Sequence, residues 1–162
     1  GCGGCPGAGA SSSQTIASGL GFVEFTVGVT TATQVIGLSN GDSDLSEEEI
    51  DFALKFWPGG GAEVRLRGVY QGAETRAAVG DVFRIAVTGT NVVTFSKNGV
   101  PFHSVSRTVT YPLLVDVSLL GSTARLLDVK IGGGGGSSSN SSGAAIAGGN
   151  GAPGIILVDL YA

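Results

Sequence analysis

Six of the thirteen acidic residues crowd into one stretch: Asp42, Asp44, Glu47, Glu48, Glu49 and Asp51. Carboxylates packed this closely suit either a solvated acidic loop or a hard-cation site, because calcium gathers roughly six to eight oxygen ligands. The EF-hand spacing is absent: Gly is missing at its sixth position and no Glu falls at its twelfth. If a cation binds, Asp42 and Asp44 are the expected ligands, and calcium is the one cofactor the sequence admits. Two aromatic residues point to a different chemistry. Trp57 precedes a glycine turn and Tyr70 follows Val69, and aromatic rings held at loop tips stack against sugar faces. The competing role for Trp57 is to cover the end of a core. His103 is the only imidazole, so a Ser/His/Asp set has a single base to draw on, and Pro101-Phe102-His103-Ser104 reads as strand. Glycoside hydrolysis needs two carboxylates roughly 5–9.5 Å apart, whereas Asp116 and Asp128 stand singly in their segments. No catalytic set emerges, and the chain reads as a non-enzyme. Cys2 and Cys5 form one C-x-x-C in a glycine-rich stretch. Zinc wants about four ligands, so exposed thiols or a cross-link, within or between chains, fit this pair better.

The elements that must position these groups are strands. Phe22, Val23, Phe25 and Val27 gather around Glu24; Ile50, Phe52, Leu54 and Phe56 alternate with Asp51, Ala53 and Lys55. Val64 and Leu66 alternate with arginines, as do Phe83, Ile85 and Val87 with Arg84 and Ala86. Period two puts successive side chains on opposite sides of a sheet, one buried and one wet. Further strands are expected at Gln34–Ser39, Pro112–Leu120 and Ala124–Ile131. Turn signals separate the runs. Asn98-Gly99 is the sharpest, because a type I′ hairpin needs two residues with positive φ. Ser46-Glu47-Glu48-Glu49 has the composition for one helical turn at most. The pattern predicts an all-β, antiparallel jelly-roll sandwich.

Composition frames that domain. Nine Lys and Arg against thirteen Asp and Glu give a net charge of −4, and only 14% of residues are charged. A phosphate-neutralising basic patch is missing, which argues against a nucleic-acid partner. No apolar run approaches the roughly 20 residues of a membrane-spanning helix. Of 29 glycines, five lie in residues 1–10 and ten in residues 132–154. The expected organisation is a Gly/Ser-rich arm over 1–18, a sandwich over 19–131, a Gly/Ser-rich linker over 132–154 and an apolar strand over 155–162. Ile155, Ile156, Leu157 and Val158 must dock on this sandwich or on a neighbouring subunit, since an exposed apolar edge aggregates.

Several segments in this order resemble a concanavalin A-like module of the lectin, glucanase and SPRY kind. They are Gly21–Val27, Ile36–Asp42, Ile50–Leu54, Gly80–Val87, Phe95–Phe102 and Tyr111–Asp116. Gly148–Val158, with Ala152-Pro153-Gly154 before its apolar strand, resembles the glycine-rich ends of bacteriophage tail fibres, although it finishes Asp159-Leu160-Tyr161-Ala162. Together the resemblances imply a virion or extracellular attachment protein, a homotrimer or partner of other virion proteins, that binds a host-surface glycan or decorates the particle. The alternative is a carbohydrate-binding module of a secreted bacterial protein, with the arms as plain linkers.

Overall fold

The computed structural model describes residues 8–44 and 46–133, together with the backbone of Gly154–Ile155. The described residues form twelve strands and no helix. In chain order these are β1 (Ala8–Ile16), β2 (Gly21–Val27), β3 (Gln34–Ser39), β4 (Phe52–Trp57), β5 (Gly61–Leu66) and β6 (Val69–Arg76). They continue with β7 (Val82–Gly89), β8 (Val92–Lys97), β9 (Val100–Ser106), β10 (Leu113–Leu119), β11 (Leu126–Gly133) and β12 (Gly154–Ile155). One antiparallel sheet runs β1-β10-β3-β4-β5-β6, and the second runs β12-β11-β2-β7-β8-β9. We call them the first and second sheets.

The alternation seen in the sequence decides which face of each strand is dry. Phe52, Leu54 and Phe56 from β4 and Ala62, Val64 and Leu66 from β5 point inward. They meet Val23, Phe25 and Val27 from β2 and Phe83, Ile85 and Val87 from β7. At the centre, Phe25 and Phe83 stack at 6.1 Å between centroids, and Phe56 meets both rings edge-on at 5.9 and 5.2 Å. Edge-to-face pairs of this kind add about 1 kcal/mol beyond area burial. Phe56 belongs to the first sheet and its partners to the second, so these rings lock the layers together.

The expected hairpin is present: Asn98 and Gly99 have φ of 49° and 80°. The expected N-terminal arm is not an arm over its second half. Residues 8–16 form β1, which pairs with β10 and buries Ile16 completely. Small polar side chains hid it, because the strand spends most of its length at a sheet edge and needs few apolar contacts. β6 and β9 are likewise edge strands with mostly exposed side chains. The helical-turn composition at Ser46–Glu49 yields only a turn at Glu47 and Glu48. At the other end, Ile155 pairs with Lys130 and Gly154 with Ile131, which places this short segment on the chain's own second sheet. Ile156, Leu157 and Val158 lie outside the described residues, as do Cys2 and Cys5.

Candidate functional site

The outward face of the first sheet carries the groups with chemistry. Backbone pairing sets Asp116, Gly37, Ala53, Arg65 and Tyr70 in one row across β10, β3, β4, β5 and β6. The next row holds Ser118, Val35, Lys55, Glu63 and Glu74. Residues 40–44 and 46–51 fold over the β10–β3–β4 part of this face, burying Ala53 on β4, and leave Trp57 and Tyr70 exposed on the other part.

The loop is anchored by one apolar contact and a set of carboxylates. Ile50 is fully buried and packs on Val35 and Ala53. Gly37 lies beneath it: a Cβ there would stand 2.5 Å from the Ile50 Cγ2 and 2.2 Å from the Phe52 carbonyl. Glu49 then closes the loop on itself. Its carboxylate accepts the Ser43 amide at 2.7 Å, the Ser43 hydroxyl at 2.6 Å and the Asp44 amide at 3.0 Å. The Asn40 amide donates to Asp51 at 2.9 Å, and the Lys55 ammonium donates to Glu47 at 2.7 Å.

Beneath the loop, carboxylate oxygens of Asp42, Glu49 and Asp116 lie within 4.8 Å of one another. Asp116 is 4% exposed, and its Oδ2 has no hydrogen-bond partner. Burial, reinforced by the negative charges of Asp42 and Glu49, pushes its carboxyl up to about 7. Of the two expected cation ligands, Asp42 is in this group. Asp44 is not in the group of converging oxygens; its carboxylate accepts the Ser46 amide at 2.6 Å. Sequence reasoning took Asp116 as an isolated strand residue and Glu49 as part of an acidic run. Only the cross-sheet register brings them together.

On the open half, the structure places Trp57 and Tyr70 on the same face, with Arg65 between them. Both are strand residues rather than loop tips. Trp57 points outward and is 36% exposed, so it does not close the core; Tyr70 is 44% exposed. The Lys55 ammonium sits 4.3 Å from the Trp57 ring centroid and the Arg65 guanidinium 5.9 Å. Arg65 also forms an ion pair with Glu63 at 2.7 Å and donates to the Gly68 carbonyl at 2.8 Å. Burial works to raise the Glu63 carboxyl, but bonds from Arg65 and the Trp57 indole outweigh it and hold the group below its ordinary value. The Tyr70 hydroxyl is pushed up by desolvation and by the charges of Glu74 and Glu63. The face therefore offers one fixed indole plane, a guanidinium fork and two carboxylates. His103 sits on β9 in the second sheet, with its ring 6.2 Å from Phe95, away from this face. A cleft of about 520 Å³ lies at the neighbouring end of the sandwich, lined by Asp51, Arg67, Gln71, Arg107 and Thr110 among others.

No protein-family model and no curated protein matches the chain. Solved structures do match. The SPRY domain of human HERC1 superposes with a TM-score of 0.50 at 15% identity, over 78% of this chain and 83% of that domain. Sheep galectin-11, solved with glycerol, gives 0.48 at 13% identity over 80% of this chain and 99% of the galectin. The alginate lyase AlgAT5 of polysaccharide lyase family 7 gives 0.46 at 14% identity. The chain spans 52% of that lyase and covers 71% of itself in doing so. These are likenesses of fold. Together with the two-sheet order described above, the likeness to the SPRY domain makes the fold a concanavalin A-like jelly-roll sandwich. A fold by itself assigns no activity, which must be argued from the site.

Proposed function

We propose that this chain is a glycan-binding attachment module, of the kind displayed on a virion appendage such as a phage fibre or carried by a secreted bacterial protein. The observation that carries the reading is the open half of the first sheet, where Trp57 stands outside the core with Arg65, Glu63 and Tyr70 around it. An aromatic plane takes the apolar face of a pyranose ring, while charged groups beside it exchange hydrogen bonds with the hydroxyls. Arg65 is held by three hydrogen bonds, two to Glu63 and one to the Gly68 carbonyl, before any ligand arrives, which reduces the ordering entropy that binding must offset. Lys55 is almost fully buried between Glu47 and the indole, so it fixes the ring rather than reaching a ligand. Glu63 and Glu74 face each other across β5 and β6, but Glu63 sits below its ordinary value. A general acid for glycoside cleavage needs the opposite shift.

The test is binding of the full chain to immobilised oligosaccharides, followed by calorimetric titration of the strongest ligand. Trp57→Ala should weaken that interaction at least tenfold, about 1.4 kcal/mol, with the fold intact by circular dichroism. Undiminished affinity in Trp57→Ala would move the site elsewhere, and release of new sugar ends would make the protein an enzyme instead.

A further inference from the structure

We propose that Asp42, Glu49 and Asp116 bind a divalent cation, calcium by their chemistry, and that this ion clamps the 40–51 loop onto the first sheet. The proposal is independent of glycan binding, because these groups lie on the covered half of the face. Two observations carry it. Three carboxylates from two separate parts of the chain present oxygens within 4.8 Å of one another. One of them, Asp116, is almost fully buried and leaves Oδ2 without a partner. An unpaired buried carboxylate is costly, and no Lys or Arg is bonded to any of the three. Lys55, the nearest buried cation in the row beside them, is taken by Glu47.

The donor set selects the ion. All three ligands are hard oxygens, which suit calcium or magnesium rather than zinc or copper. Two come from a loop without regular structure and one from a strand, giving the irregular geometry that calcium tolerates and magnesium resists. A cleft of about 220 Å³, lined by Ser39, Asn40, Asp42, Ser43 and Glu49 among others, opens at the site. It reaches Asp42 and Glu49, with Arg67 also on its wall, and has room for the waters that complete a coordination shell of roughly six to eight oxygens. Glu49 already accepts three bonds within the loop, so its carboxylate is held in place before an ion arrives.

The rival account is a proton shared among the three carboxyls. Calorimetric titration of the chelator-stripped full chain with calcium chloride, and separately with magnesium chloride, distinguishes them. We expect saturable binding of one calcium, weaker magnesium binding, and a rise in Tm of about 4 °C or more at millimolar calcium. Asp116→Asn should abolish both responses. In chelator it should melt no lower than the wild type, because it removes a negative charge from a like-charged group. Asp42→Asn changes an exposed loop residue and should lower calcium affinity at least tenfold with the fold unchanged. Absence of binding heat and of any Tm shift up to 5 mM calcium, a test concentration of the order of weak extracellular sites, would overturn the proposal. So would calcium binding that survives in both variants. Glycan binding measured in chelator reports separately on the Trp57 face.

Discussion

Two aspartates show how position, rather than residue type, sets a carboxyl's behaviour. Asp81 accepts the Asn98 amide at 2.8 Å, the Ala78 amide at 2.8 Å and the Lys97 ammonium at 3.0 Å. The Asn98 bond leads the causes that hold it below its ordinary value. Asp116 is buried among like charges and moves the other way. A depressed folded-state value means that Asp81 contributes stability above the unfolded value of about 3.9, and that this is lost as pH falls through the folded value. Asp81→Asn should therefore lower stability at pH 7 by about 1 kcal/mol, read as a Tm shift of a few degrees. The gap between variant and wild type should narrow progressively in melts run at pH values falling below the ordinary aspartate value of about 3.9. Asp81 lies against the Asn98-Gly99 turn in space, 17 residues away in sequence, and that turn was legible from the residues. Asp116 was not legible as a site residue, because its partners come from a loop more than sixty residues earlier and only strand register brings them together.

At the scale of elements, the strands whose side chains alternate cleanly were readable, since a buried face leaves its period in the sequence. β7, at Val82–Gly89, buries Phe83, Ile85 and Val87 as its alternation requires. β1 and the edge strand β6 left no such trace, because they present mostly polar or exposed side chains. The 40–51 loop looked like a solvated acidic stretch, yet it covers half of a sheet through Ile50. Gly37 permits that covering. Gly37→Ala would drive a Cβ into the Phe52 carbonyl and the Ile50 side chain, and neither the backbone oxygen nor the fully buried Ile50 can withdraw freely. We expect a loss of about 2–3 kcal/mol in urea unfolding, together with faster cleavage after Glu47, Glu48 or Glu49 by a glutamate-specific protease. Gly89→Ala is the control. Its Cβ would meet Val92 at an ordinary 3.7 Å, so it should stay within about 0.5 kcal/mol of wild type.

For the whole molecule, the sandwich divides its labour between two sheets. The second sheet contributes the Phe25–Phe83 stack and a largely polar outer surface, where the Thr94 hydroxyl meets those of Thr88 and Ser104. The first sheet supplies the working face, half open around Trp57 and half closed over Asp116. Among the described residues, the main core lies between Ile16 and Ile131. A chain ending at residue 133 loses only the two-residue pairing of Gly154–Ile155 with β11 from the described structure. It should fold, melt within about 3 °C of the full chain, and keep the same glycan affinity. Light scattering on both chains then isolates what residues 134–162 do. If Ile155, Ile156, Leu157 and Val158 hold subunits together, as the virion-appendage reading requires, the full chain has a multiple of the monomer mass and the shortened chain does not. Repeating the measurement with reductant separates that association from one made by Cys2 and Cys5. An oligomer that persists without residues 134–162, in reductant, would place the subunit contact on the sandwich itself. Among the described residues, the edges at β1, β6 and β9 have no further strand paired with them, and such an edge can take another strand.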